Sequence, residues 1–291
     1  MNIAYRFRIY PTEEQKILLG KTFGCCRFLY NQMLNDKIRE YEKTKKMLKN
    51  TPAMYKKEYP FLKEVDSLAL ANVQLHLEKA YKNFFRDPKI GFPRFKSKHH
   101  SKNSYTTNVV NGNILVESKR IRLPKLKWIA MKKHREPAEG LRLKSVTVSM
   151  EPSGKYFASL LYEGYSCENQ AAGPDYSTAK ILGIDYAMQG MAVFSEKVET
   201  EEAGFFRKNE KRLAREQRKL SRCVRGSHNY ELQKKKVARC HEKIRNQRRD
   251  HLHKLSRKIA DGYDAAAVED IDMKAMGQCL HFGKSVQDNG Y

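Results

Sequence analysis

The chain has 291 residues, enough to bury a sizeable core and to divide into two or three domains of ordinary size. Its 57 Lys and Arg against 33 Asp and Glu leave a formal charge of +24, the balance of a polyanion binder, with nucleic acid as the leading partner. No run of about 18 apolar residues is present and the opening "MNIAYRFRIYPT" has no signal-peptide core, which argues against a membrane role and predicts a cytoplasmic, intracellular protein.

In chain order, Ile3, Tyr5, Phe7 and Ile9 alternate with Ala4, Arg6, Arg8 and Tyr10, a strand that stops at Pro11. Thr12 with Gln15 makes a capping-box signature, and Ile17, Leu18, Phe23, Cys26, Leu29 and Met33 continue at helical spacing. Helical patterning extends to about residue 87, where Leu70, Val73, Leu77, Ala80, Tyr81 and Phe84 mark one face of "SLALANVQLHLEKAYKNFFRD". Asn72 and Gln74, polar positions of that helix, are candidates for reading base edges. The pattern predicts a helical domain inserted after a single strand.

The next stretch, "FPRFKSKHHSKNSYTTN", interleaves Phe92, Phe95 and Tyr105 with Arg94, Lys96, Lys98 and Lys102. Such a mixture suits base stacking and phosphate neutralisation, with Thr106 in the same run, although a basic loop with its aromatics tucked into the core has the same composition. From about 111 the period becomes that of strands. "NILVESKRIRLPKLKWIAM" supplies short ones and "SVTVSMEPSGKYFASLLYE" a hairpin turning at "PSGK". The opening strand lacks a sequential partner, so it is predicted to join these in one small barrel with Trp128 in its core. "NQAAGPDYSTA" then reads as a linker.

"KILGIDYAMQGMAVFSE", residues 180–196, reads as a buried strand carrying Asp185. An unpartnered buried carboxylate costs several kcal/mol, so a compensating cation is expected. Residues 205–260 hold 20 Lys and Arg and 5 Asp and Glu, and "RGSHN" at 225–229 breaks the helix period, which predicts two long antiparallel helices. Val237, Ile244, Leu252, Leu255 and Ile259 form the apolar seam of the second. The sign bias is too strong for salt-bridge lacing, and Arg215, Lys219, Arg222, Lys235, Arg245, Arg248 and Arg249 are assigned to phosphate contact. Finally, Ala265 to Val268 make a second apolar strand that runs into Glu269, Asp270 and Asp272. Two acids at the ends of adjacent strands suit magnesium, which in pairs about 3.5 to 4 Å apart serves phosphodiester hydrolysis.

None of the six cysteines (Cys25, Cys26, Cys167, Cys223, Cys240 and Cys279) falls in a C-x-x-C pair, so neither a zinc ribbon nor a disulfide framework is implied. His99, His100, His241, His251 and His253 lack a second ligand set at zinc spacing and read as solvated or RNA-facing.

The whole chain, in order, resembles the TnpB family of transposon-encoded, RNA-guided DNA endonucleases. The resemblance is carried by "AYRFRIYPTEEQ", by "KAYKNFFRDPKIGFPRFKSK" with "SYTTN", and by the run from "LAREQRKLSRC" to "VEDIDMKAMG". It implies an α+β multidomain protein: a wedge-like β-barrel over 1–11 and 111–172, a helical recognition domain over 12–110, and a RuvC-like nuclease domain of RNase H fold over 178–291. Asp185 in "GIDYAMQG" matches the family's first catalytic acid and Glu269 in "VEDID" its second, both as Mg2+ ligands. A guide RNA and double-stranded target DNA with a short adjacent motif are the implied partners, met by the basic hairpin and the residue 92–106 stretch, with nucleoid association when bound to DNA. Family members continue with a zinc ribbon and a third aspartate, whereas this sequence stops at "KSVQDNGY", where Asp288 precedes the expected segment. The zinc ligands are therefore not expected here, and the chain reads as a C-terminally truncated member with cleavage weakened or lost. The alternative reading is a nuclease-dead, RNA-guided DNA-binding protein or repressor.

Overall fold

In the computed structural model the described residues are 2–98, 100–164, 177–187, 191–198 and 204–272. They fall into two compact units, divided at Glu168 and Asn169.

The first unit opens with β1 (Asn2–Tyr10), whose alternation turns Phe7 and Ile9 into the core. Thr12 then caps α1 (Glu13–Thr44) in a complete capping box: its hydroxyl accepts the Gln15 N–H while the Gln15 side chain accepts the Thr12 N–H. The same Gln15 amide donates to the carbonyls of Leu126 (2.9 Å) and Trp128 (2.8 Å), so one side chain ties the strand-to-helix corner to a distant hairpin. Leu19, Phe23, Leu29 and Met33 are buried along α1, while Ile17, expected on that face, is exposed. After the short α2 (Pro52–Glu58), Asp66 caps α3 (Ser67–Arg86), which buries Leu70, Val73, Leu77 and Tyr81.

Seven strands complete this unit: β1 with β2 (Asn103–Asn108), β3 (Leu115–Val116), β4 (Arg120–Leu123), β5 (Lys127–Lys132), β6 (Arg142–Met150) and β7 (Tyr156–Glu163). Their order is β2-β6-β7-β1-β5-β4-β3, antiparallel throughout, with β1 central between β7 (Ile9↔Tyr156) and β5 (Arg8↔Lys132). The opening strand thus finds its partners among the later strands. The β6–β7 hairpin turns where expected, with Gly154 at φ +83°.

One expectation is corrected here. The sheet is open rather than a closed barrel, because no ladder joins β2 to β3 among the described residues. Residues 103–108, inside the 12–110 segment that the resemblance implies as the recognition domain, form an edge strand of that sheet. Helices and sheet share one apolar core, in which Phe23 and Leu77 join Val148 and Leu160. Trp128 is only half-buried, with the Arg120 guanidinium 4.4 Å over its ring.

The second unit holds a three-stranded sheet of order β10-β8-β9: β8 (Ile181–Ala187), β9 (Met191–Phe194) and β10 (Ala265–Val268). β8 pairs antiparallel with β9 and parallel with β10. Between β9 and β10 run α4 (Phe205–Ser221) and α5 (His228–Gly262), the latter capped by Ser227, whose hydroxyl accepts the Tyr230 N–H. Their antiparallel packing buries Leu213, Cys240 and Ile244 and pairs Gln233 with Glu216 and Asn209 with Gln247. The helix break falls where "RGSHN" placed it. Residues 273–291, including Cys279 and Asp288, lie outside the described residues, as do His99 and Cys167.

Among the described residues, no helix is long and apolar enough to cross a membrane. Replacing Gln15 by Leu removes one cap and two interstrand anchors at once. The expected loss, read from urea denaturation, is about 2–3 kcal/mol, against about 1 kcal/mol for Thr12→Ala.

Candidate functional site

The two acids singled out in the sequence follow the last rung of one parallel ladder. Asp264 fixes the start of the β8–β10 pairing: its carboxylate accepts the Lys180 N–H (2.9 Å) and its own N–H donates to the Lys180 carbonyl (3.0 Å). The ladder then runs in step from Ala265↔Ile181 to Val268↔Ile184, so the next residue on each strand is Glu269 and Asp185. The two residues that follow the last rung, one on each neighbouring strand, are the candidate carboxylate pair. Neither carboxylate has an ion-pair or hydrogen-bond partner among the described residues.

Burial departs from expectation. Asp185 and Glu269 are both exposed and Val268 is 69% exposed, so these strands are not buried on both faces within the described residues. The apolar composition of β8 reflects β-propensity and one covered position, Leu182, rather than full enclosure. No group of three or more His, Cys, Asp or Glu converges as a metal set among the described residues. As a candidate pair, Asp185 and Glu269 offer hard oxygen donors of the kind that suits a divalent cation such as Mg2+.

The basic hairpin presents its cations along two helices. At about 100° per residue, Lys235, Arg245 and Arg249 fall on the side of α5 away from Cys240 and Ile244, and all three are exposed. Arg248 flanks the seam and is half-buried. Arg215 and Lys219 are exposed beside the buried Glu216, whose carboxylate also accepts the Gln233 amide (2.8 Å). That amide bond and the two cations hold Glu216 below the usual carboxylate range. Arg222 is exposed at the end of α4. His253 meets Arg249 and His251 packs edge-on to Phe205, surface contacts rather than a ligand set.

A third cluster surrounds a cavity of roughly 190 Å3 in the first unit, between α1, α3 and β2. It unites Asn72, Lys96, Tyr105 and Thr106 from the sequence reading with Arg27, His76 and Lys102, and no Asp or Glu lines it. Arg27 and His76 carried no motif; their only sequence signal is helical spacing, four residues after Phe23 and Asn72. Lys96 is held in place from both sides of its backbone, since its N–H donates to Asn31 Oδ1 (2.8 Å) and its carbonyl accepts Asn31 Nδ2 (2.9 Å). Its ammonium sits 3.9 Å over the Tyr30 ring, and burial pushes its pKa below the ordinary lysine value. Burial likewise pushes the Cys26 thiol up to about 12, leaving it an inert wall.

Other assigned residues take different places. Tyr105, 5% exposed, packs its ring on Phe23, so it serves the core and cannot stack on a base. Asn72, 6% exposed, donates to the Leu68 carbonyl (2.9 Å) and faces the cavity rather than open solvent. Gln74 donates to Glu78 (2.8 Å) away from the cavity. Thr106 shares a hydroxyl hydrogen bond with Thr147 (2.7 Å). Arg94, Phe95 and Lys98 are exposed in the loop that leads to the cavity.

Comparison with known proteins decides the family. Residues 164–279 match the OrfB_IS605 family, described as "Probable transposase", and residues 1–46 match one described as "Helix-turn-helix domain". Over 94% of its length the chain is 32% identical to a protein of Escherichia coli (strain K12) described as "Putative RNA-guided DNA endonuclease InsQ", and the match takes in 67% of that protein. The chain belongs to the TnpB, or OrfB, family. A second TnpB-like relative, a "Putative RNA-guided DNA endonuclease" of Streptomyces pristinaespiralis, is 31% identical over 98% of this chain and 71% of its own. A solved complex of Cas12f1 with sgRNA and target DNA aligns with 99% of this chain and 81% of that one, at 12% identity and a TM-score of 0.31. In this TnpB-family chain, residues 1–46 contain β1 and the single helix α1, a strand and one long helix rather than two short helices around a turn.

Lys96 carries a burial cost that a nucleic-acid phosphate would relieve. Lys96→Met is expected to leave the melting temperature at pH 7 unlowered, because the cost of the charge, present below the folded pKa, disappears with it; raising the pH toward the ordinary lysine value removes the same cost from the wild type. Nucleic-acid affinity should fall, with the slope of log K against log salt reduced by about 1. Salt titration and a pH series of melts check both.

Proposed function

We propose that the chain is an RNA-guided DNA endonuclease in which Asp185 and Glu269 hold a divalent cation, Mg2+ by donor type, at the centre of phosphodiester hydrolysis. The observation that carries this reading is the register of β8 and β10, whose last rung, Val268↔Ile184, is followed on the two strands by Glu269 and Asp185. Family membership and the names of the relatives support the guide RNA and the target DNA as partners.

The antiparallel β8–β9 hairpin followed by a helical crossover to parallel β10 supports a RuvC-like nuclease region from 178 onward. The proposed wedge spans 1–11 and 111–172, with the recognition segment 12–110 inserted between them; strands in both of its stretches support it. In this reading the bound ion supplies Lewis-acid activation of water and stabilisation of charge on the phosphate. The chain's own groups do the rest. Arg215, Lys219, Arg222, Lys235, Arg245, Arg248 and Arg249 neutralise backbone phosphates along the α4–α5 hairpin, so that a polyanion is retained without base readout. The 94–106 segment and the Lys96 cavity contact nucleic acid at a site with side chains fixed enough to discriminate, among them Asn72 and Thr106.

The test uses the purified chain with its co-purified RNA on a plasmid carrying the matched target. Asp185→Asn and Glu269→Gln should each lower Mg2+-dependent cleavage by more than the roughly 10- to 100-fold typical of residues that only support a metal ligand. Guide-dependent DNA binding should stay within about threefold of wild type, since neither acid faces phosphate without the ion. Tight binding with no cleavage by the wild type would mark a programmable DNA binder; cleavage that persists in both variants would remove the carboxylate pair from the chemistry.

A further inference from the structure

The C-terminal turn of α3 and the loop after it build an aromatic cluster that the core does not absorb. Phe92 folds back so that its ring meets Tyr81 (5.5 Å, 87°) and Phe84 (5.4 Å, 83°) edge to face, and Phe85 lies parallel to Tyr81 (6.1 Å, 25°). Gly91, at φ +84°, makes the reversal possible. The inner rings are held and the outer ones are open: Phe85 is 64% and Phe92 44% exposed, with Ile90 and Phe95 exposed beside them. Lone exposed aromatics need no explanation, whereas a contiguous, mutually braced group at one helix end marks a binding surface.

Charge decides the occupant. Lys82, Arg86, Lys89 and Arg94 neighbour Phe85 and Phe92 along the chain, all exposed and none in an ion pair among the described residues. The two acids of this stretch are engaged locally, Asp87 capping the Lys89 N–H and Glu78 accepting the Gln74 amide. A docking protein would bury unpaired lysines, which interface cores avoid. A strand of nucleic acid supplies flat apolar faces at the rings and phosphates at the cations, which is the arrangement single-strand binders use.

We propose that Phe85 and Phe92 form a stacking platform for unpaired bases of a single nucleic-acid strand, with Lys82, Arg86 and Lys89 taking its phosphates. The braced rings pre-organise the surface, so little ordering is lost on contact. Phe85 and Phe92 do not line the Lys96 cavity, and the platform rests on the nucleic-acid reading in the class of its ligand.

The experiment is photocrosslinking of the full chain to single-stranded RNA and DNA oligonucleotides carrying 5-iodouracil, with the crosslinked peptide identified by mass spectrometry, alongside affinity measurements. The expected crosslink lies within residues 81–95, and Phe85→Ala should weaken binding roughly tenfold, in line with loss of one stacked base. Phe85→Trp should keep both the crosslink and the affinity, which separates stacking from folding because Phe85 is a surface residue. Comparing the two oligonucleotides shows whether the platform prefers the RNA or the DNA strand. Crosslinks confined to other segments, unchanged affinity in Phe85→Ala, or a shift in oligomeric state on that substitution would overturn the platform while leaving the nuclease reading intact. Absence of any nucleic-acid binding by the wild type would instead defeat both.

Discussion

The proposed centre depends on a four-residue parallel ladder. β8 and β10 are joined in the chain by β9 and by two helices of 17 and 35 residues, and the pairing has to close that loop against its entropy. The reciprocal bonds between Asp264 and Lys180 set the first rung, and every later rung follows in step. A slip of one residue would turn one carboxyl-bearing position to the opposite face of the sheet and part the pair. Two neighbouring carboxylates without a cation repel each other, so the register that assembles the site is also the one most in need of a bound ion.

The α4–α5 hairpin meets a related constraint. Its apolar seam is thin, with Leu213, Cys240 and Ile244 buried and polar pairs such as Gln233 with Glu216 completing it. The cations it carries repel one another in the absence of a partner. In the proposed reading, a polyanion bound along the exposed arginines would relieve that repulsion and stabilise the folded hairpin by mass action. The Lys96 cavity repeats the theme on a smaller scale, where a desolvated ammonium is kept in place by Asn31 and Tyr30 at a cost that a phosphate would offset.

What could be read from the sequence follows the range of the interactions. The Thr12–Gln15 cap, the Gly154 turn and the break before α5 are local, and each lies where residue chemistry placed it. Asp185 and Glu269 stand out in the sequence because each ends an apolar run. The partners of β1 were legible because a lone strand has unmet hydrogen bonds. Closure of the seven-stranded sheet was not, since it depends on register between strands far apart in sequence. The exposure of Asp185 was missed for the same reason: apolar strand residues look alike whether one face or both are covered. Tyr105 alternates with Thr107 in "NSYTTN" and both are buried, so the period-two pattern marks it as a core position despite the basic residues before it. Asn72 sits on the covered side of α3 beside Ala69 and Val73, and a bond back to Leu68 lets a polar residue do so.

The claim that Asp185 and Glu269 share one cation has a direct physical test that does not pass through cleavage of DNA. Substituting Fe2+ for Mg2+ and adding ascorbate and peroxide generates hydroxyl radicals at the bound ion, which cut the polypeptide backbone nearby. The account predicts two cuts, one within a few residues of Asp185 and one within a few residues of Glu269, both lost in Asp185→Asn and both suppressed by excess Mg2+. Cuts at only one of the two strands, or a pattern unchanged by the substitution, would contradict it.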